Sequence, residues 1–271
     1  MPTRRRSVAM RLSVALSACL LFATAAMAAE TKPVIASKSK SAEIEVKIDD
    51  AFKAYPGLYD NLLAEGRSEA AKWRAEADGI YRRGDDTFTF KDGRRYSYAR
   101  SYEQRSAVGR YISIVRSDDV FTGGAHPNQS IDTILWDTQT KKRISIRPLF
   151  KETSAKGPAM TAMAKLVRAA VFDEKKRRKL ETVEGTPDNN EWLKDITPSL
   201  LKLGPVTLAP SSEAGKSSGL TFHFSPYAVG PYAEGPLTAF VAWSAFKDFL
   251  TPEGAAIFGG TRPEGDAKAA D

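Results

Sequence analysis

The sequence predicts an α+β fold in which two sheet-and-helix halves pack as one domain. Three observations predict it. Period-2 alternation, the mark of a half-buried strand, occurs at Ile44, Val46 and Ile48 and again at Ile131, Thr133 and Leu135. Two further stretches carry apolar residues at three- and four-residue spacing, so each reads as a helix whose stripe needs a sheet to cover. With 271 residues and 42% hydrophobic content, the chain can bury a sizeable core.

In chain order, Arg4, Arg5, Arg6 and Arg11 flank an apolar run that continues to Ala25 and ends in Ala26-Met27-Ala28, the pattern of a signal peptide over residues 1–28. Leu16-Ser17-Ala18-Cys19 also matches a lipobox, which would make Cys19 the lipidated first residue of a lipoprotein. Continuation of the apolar run through Leu20, Leu21 and Phe22 favours cleavage after Ala28. That cleavage removes four arginines and no acidic residue, lowering the formal excess from +7 to +3, and it removes the single cysteine. No second apolar run reaches the roughly 18 residues of a membrane span. The expected location is therefore the periplasm, with membrane attachment only through Cys19.

Residues 29–42, rich in Lys, Ser and Ala, read as a flexible tether. The N-terminal half, residues 43–150, opens with the strand carrying Ile44, Val46 and Ile48. Tyr59, Leu62, Leu63, Ala70, Trp73, Ala77 and Ile80 then predict a helix over residues 58–81, with a weak point at Gly66. Residues 87–90, 95–102 and 108–115 read as strands, with Asp92-Gly93 as a turn between the first two. Gly123, Gly124 and Pro127 stiffen a loop, after which residues 131–136 and 143–146 form a hairpin that Pro148 ends.

The C-terminal half, residues 151–250, begins with Pro158 and a helix whose face is Met160, Met163, Ala164, Val167, Ala170 and Val171. The five cations Lys175 to Lys179 that follow complement the helix dipole, and a nucleic-acid site is not expected from them. Residues 185–190 read as a polar loop, 191–201 as a short helix, and 206–208, 219–224 and 237–243 as strands. Residues 226–236 form a Gly- and Pro-rich turn, 244–250 a last helix and 251–271 a disordered tail.

Phe121-Thr-Gly-Gly-Ala-His-Pro127, the Trp136-Asp-Thr-Gln-Thr-Lys141 hairpin and Ile146-Arg-Pro-Leu-Phe150 resemble the extracytoplasmic domain of RsiV-type anti-sigma factors. The same module accompanies PdaC-type peptidoglycan deacetylases and many bacterial envelope proteins. The likeness runs from about Glu43 to Leu250. It includes a closing segment, Leu220-Thr-Phe-His-Phe-Ser-Pro-Tyr-Ala-Val-Gly-Pro-Tyr-Ala-Glu-Gly-Pro236 followed by Phe240-Val-Ala-Trp243. What the resemblance implies is an ectodomain that senses or binds lysozyme, or that accompanies a wall enzyme. It supplies no catalytic residue. A cytoplasmic sigma-binding segment and a deacetylase domain are not expected in this chain, so neither role transfers whole.

The chemistry-bearing residues are few. With His126 and His223 as the only histidines, a zinc site would have to recruit carboxylates, and no metal or cofactor is expected. There is no His-Glu-x-x-His, Gly-x-Ser-x-Gly or phosphate loop. A general base at His126, oriented by Asp132 and serving Ser130, is one reading; a histidine that fixes its own tight loop is the favoured one. His223 reads as a satisfied core or sheet-surface residue, and Trp136 and Trp243 read as core ahead of lining a groove, while for Tyr227 and Tyr232 both readings stand equally. The binding candidates are Gly123, Gly124, His126 and Asn128 in one loop and Tyr227 and Tyr232 in the other. The expected function is a non-enzymatic envelope protein that binds a lysozyme-like protein or peptidoglycan. A small periplasmic hydrolase of wall polymers is the alternative.

Overall fold

The computed structural model describes residues 31–268. The expected signal peptide and Cys19 lie outside the described residues. Among those described, no helix is long and apolar enough to cross a membrane.

The architecture is α+β, with a six-stranded and a three-stranded sheet. The large sheet runs in chain order: β1 (Ile35–Lys38), β2 (Ala42–Ile48), β3 (Tyr96–Val108), β4 (Tyr111–Phe121), β5 (Asn128–Asp137) and β6 (Lys142–Ile144). Within this sheet β2 and β3 pair in parallel, and the other described pairs are antiparallel. A parallel pair needs a crossover, and helix α1 (Pro56–Arg83) supplies it. Pro56 starts the helix and Gly84, at φ +72°, ends it. A core of Ile44, Val46, Ile48, Tyr98, Tyr102, Ile112, Ile114, Ile134 and Trp136 lies between α1 and this sheet.

The small sheet, β7 (Val206–Leu208), β8 (Gly219–Phe224) and β9 (Leu237–Ala242), is covered by α3 (Pro158–Arg177), the short helix α2 (Thr87–Phe90) having come before it. Its edge strand β7 lies against the large sheet. There Val206 N–H donates to Thr133 Oγ1 at 2.9 Å, Leu208 N–H to Ser113 Oγ at 3.1 Å, and Ser106 Oγ–H to Leu208 O at 2.6 Å. Side-chain hydroxyls of one sheet thus satisfy the free backbone edge of the other. The second core joins Tyr111 and Leu135 to α3, β8 and β9.

Several expectations need correction. Within the segment read as a tether, residues 35–38 pair antiparallel with β2. Their composition hides a strand that exists because the β2 edge is there to receive it. Within the segment read as a tail, α4 (Pro252–Ile257) and α5 (Glu264–Lys268) form, Phe258 is buried, and Asp266 pairs with Arg262 at 2.6 Å and with Arg105. Residues 87–90 are a helical turn because Asp86 caps Thr89 N–H at 2.9 Å. The strand expected over 108–115 contains instead a turn at Gly109, φ +54°. β4 then continues through the polar Arg116-Ser117-Asp118-Asp119, where Arg100 meets Asp118 and Arg116 meets Asp132 across the strands. The helices expected at 191–201 and 244–250 are isolated 3₁₀ turns.

Candidate functional site

The two loops nominated from the sequence meet, although about a hundred residues separate them. The first joins β4 to β5. Gly123 and Gly124 have φ of +100° and +98°, and a Cβ at Gly123 would lie 2.3 Å from Thr89 Oγ1, so this turn both needs the left-handed region and brings backbone against α2. Beyond it, His126 Nδ1–H donates to Pro127 O at 2.8 Å. Asn128, exposed, opens β5.

The second loop follows β8. Ser225 Oγ accepts from Ile131 N–H at 2.8 Å and so ties the base of this loop to the free edge of β5. Ala228 N–H donates to Ser225 O at 3.0 Å, closing a turn with Pro226 second and Tyr227 third. Tyr227 takes φ +70°, the conformation that glycine normally supplies at the third position of a type II turn. The residue is 57% exposed. Tyr232 stacks on His126 with ring centroids 3.8 Å apart and planes 18° apart, and its hydroxyl donates to the same Pro127 O at 2.9 Å. The Tyr227 ring stands 5.5 Å from that of Tyr232. Of the six nominated residues, three rings form one surface cluster, while Gly123, Gly124 and Asn128 shape the loop that carries His126.

Two parts of the frame escaped the sequence reading. Lys175 does more than complement the helix dipole: it is fully buried, and its ammonium donates to Glu234 Oε2 at 3.0 Å and to Thr182 Oγ1. Glu234 closes the 3₁₀ turn that begins at Tyr232. The signal was present, since Lys175 continues the α3 stripe four residues beyond Val171. On the large sheet, Glu65 of α1 gathers Arg100 at 3.6 Å, Arg116 at 2.6 Å and Arg143 at 2.5 Å. Burial would raise its carboxyl, but the hydrogen bond and charge of Arg143, with the charges of Arg116 and Arg100, outweigh burial and hold it below the usual range. Arg100 was detectable as a charge in the inward phase between Tyr98 and Tyr102.

No hydrogen bond or ion pair links His126, Ser130 and Asp132 among the described residues; Asp132 pairs with Arg116 at 2.7 Å. His126 instead bonds its own loop. His223 is buried and shares a 2.9 Å hydrogen bond with Thr207 Oγ1. Burial, and then the charge of Arg105, push its imidazole down to about 4 against the opposing pull of Asp266. Trp136 is buried, and Trp243, partly buried, donates to Gly260 O at 3.1 Å. Among the described residues, no three His, Cys, Asp or Glu side chains are grouped to hold a metal ion.

Residues 148–244 match the family model described as a protein of unknown function, DUF3298. The matched segment contains α3, the small sheet and the tyrosine loop; the His126 loop lies outside it. A crystal structure of a DUF3298 family member from Bacteroides fragilis is similar, with a TM-score of 0.52 at 14% identity over 84% of this chain and 89% of that one. One from Pseudomonas aeruginosa gives a TM-score of 0.49 at 16% identity, over 85% and 93%. At 14% identity the first likeness concerns the fold. No curated protein matches the chain.

Proposed function

We propose that this chain is an exported, non-enzymatic binding module of the cell envelope that engages peptidoglycan or a lysozyme-like protein through the surface of His126, Tyr227 and Tyr232. One observation carries the reading: Tyr227 occupies a glycine conformation with its ring in solvent. Left-handed backbone in a bulky residue costs on the order of 1 kcal/mol, and the ring contact that accompanies it, with Tyr232 at 5.5 Å, lies within the same surface cluster and not in the core. Strain retained at an exposed aromatic is the pattern of a residue kept for contact. The neighbouring stack of His126 on Tyr232 extends the same surface, and aromatic faces with polar edges suit both sugar rings and protein partners. Export is supported by the arginine-rich start and the Ala26-Met27-Ala28 site, and a lipid on Cys19 would place the same module at the membrane.

Tyr227→Gly separates contact from folding. The change removes the ring and relieves the backbone, so the melting temperature holds or rises while retention on purified peptidoglycan sacculi, or affinity for lysozyme in a titration, falls at least tenfold. Tyr227→Ala with Tyr232→Ala weakens the same binding by roughly 1 to 2 kcal/mol or more. Binding of the wild-type protein to neither probe, or unchanged binding by both variants, overturns the proposal.

A further inference from the structure

We infer that the buried pair Lys175–Glu234 is the positioning device of this surface: it sets where the tyrosine loop stands against His126, and it does so from inside the α3 core. The inference rests on the binding role proposed for the cluster, but its geometry can be tested without a ligand. Glu234 lies two residues after Tyr232 in the same 3₁₀ turn, so one short rigid element carries both the inward carboxylate and the outward ring. The carboxylate is held on both oxygens. Oε2 accepts from Lys175 Nζ at 3.0 Å, and Oε1 accepts from Thr182 Oγ1 at 2.6 Å and from Thr182 N–H at 3.3 Å. Thr182 is itself braced, because Asn190 Nδ2–H donates to its carbonyl at 2.9 Å.

The loop backbone is built around this contact. A Cβ at Gly230 would lie 2.2 Å from Glu234 Oε2 and 3.1 Å from Lys175 Nζ, so the absence of a side chain is what lets the chain pass over the pair. Arg178 Nη1–H, from the residue after α3, also donates to Pro236 O at 2.9 Å, a second tie from the same helix end to the end of the loop. Buried ion pairs give little net stability against apolar replacements of similar volume, because desolvation offsets their attraction, whereas their direction and length restrict geometry. A neutral double replacement therefore keeps the fold and loses the position.

The test uses Lys175→Met, the double variant Lys175→Met with Glu234→Leu, and the near-isosteric Thr182→Val. Each is read by its melting temperature and by the ring-proton resonance of His126, which the stacked Tyr232 displaces upfield. The chain has two histidines, and loss of one signal in His126→Gln assigns it. Lys175→Met lowers the melting temperature by leaving the largely covered Glu234 carboxylate without its counter-charge; the double variant recovers most of it. In the double variant the upfield displacement is nonetheless lost, and in Thr182→Val it is reduced. A double variant that folds and keeps the wild-type displacement overturns the inference, as does full displacement in Thr182→Val should the double variant not fold. Loss of the displacement with unchanged retention on sacculi or affinity for lysozyme counts against the binding proposal and leaves the positioning role standing.

Discussion

Helices α1 and α3 each cover a sheet, but they hold it by different means. α3 presents Met160, Met163, Ala164, Val167 and Val171, all fully buried, and adds a single buried cation at its end. α1 presents Leu58, Leu62, Ala70 and Ala77, but in its middle it offers Gly66, whose missing Cβ would lie 2.9 Å from Val46 Cγ1, and Glu65 with three arginines. Apolar contact is non-directional, so the α3 face fixes distance far more than alignment. The charges under α1 have direction, and they tie β3, β4 and β6 to one point on the helix. Binding energy for the fold and geometric definition are thus supplied by different residues in the two regions.

The largest expected effect lies under α3. Met163→Ala removes packed atoms from a face with no exposure and should cost roughly 2–5 kcal/mol, read by denaturant or thermal unfolding. A loss below about 1 kcal/mol would show that this interface repacks freely and that the contrast with α1 is overstated.

Acid separates the two regions by window. His223 in β8 has a folded pKa of about 4, below the roughly 6.5 of an unfolded histidine, so the unfolded chain binds the extra proton first. Its contribution is complete above about pH 6.5 and is lost as pH falls toward 4, on the order of 3 kcal/mol in all. The lowered carboxyl of Glu65 contributes above its unfolded value of 4.5 and is lost only below it. The His223 contribution should therefore be lost before that of Glu65 on acidification. His223→Gln should flatten the stability profile between pH 6.5 and 4; an unchanged slope there would remove His223 as its cause.

A smaller effect is expected at Glu65→Gln, about 1–2 kcal/mol, because Arg100 and Arg116 keep Asp118 and Asp132 as partners. The loss should shrink further in the presence of Arg143→Gln, and additivity of the two changes in a double-mutant cycle would deny that the charges act as a unit.

The legible parts of the molecule were those in which local pattern and environment agree. The α1 and α3 stripes, the alternation of β2 and β5, and the turn at Asp137, whose carboxylate accepts from Gln139 N–H at 2.9 Å, all follow from neighbours in the chain. The two loops that meet at the candidate site could also be named, because Gly123, Gly124 and Pro127 in one and Pro226, Pro231 and Pro236 in the other mark rigid backbone. Their meeting could not. Nor could β1, whose Ile-Ala-Ser-Lys is a strand only because β2 leaves an edge to pair, or the polar end of β4, which needs partners on β3 and β5.

The sequence by itself determined the α+β class, the two long helices, most strands of both sheets and the residues worth testing in the two loops. Tertiary structure alone decided that His126 stacks on Tyr232, that Tyr227 holds a glycine's conformation, and that Lys175 turns inward to Glu234. The physical reason is range. Apolar periodicity and turn chemistry act over a few residues and leave a mark in the chain, whereas a stacked pair or a buried ion pair joins residues 59 to 106 positions apart and depends on how the sheets between them pack.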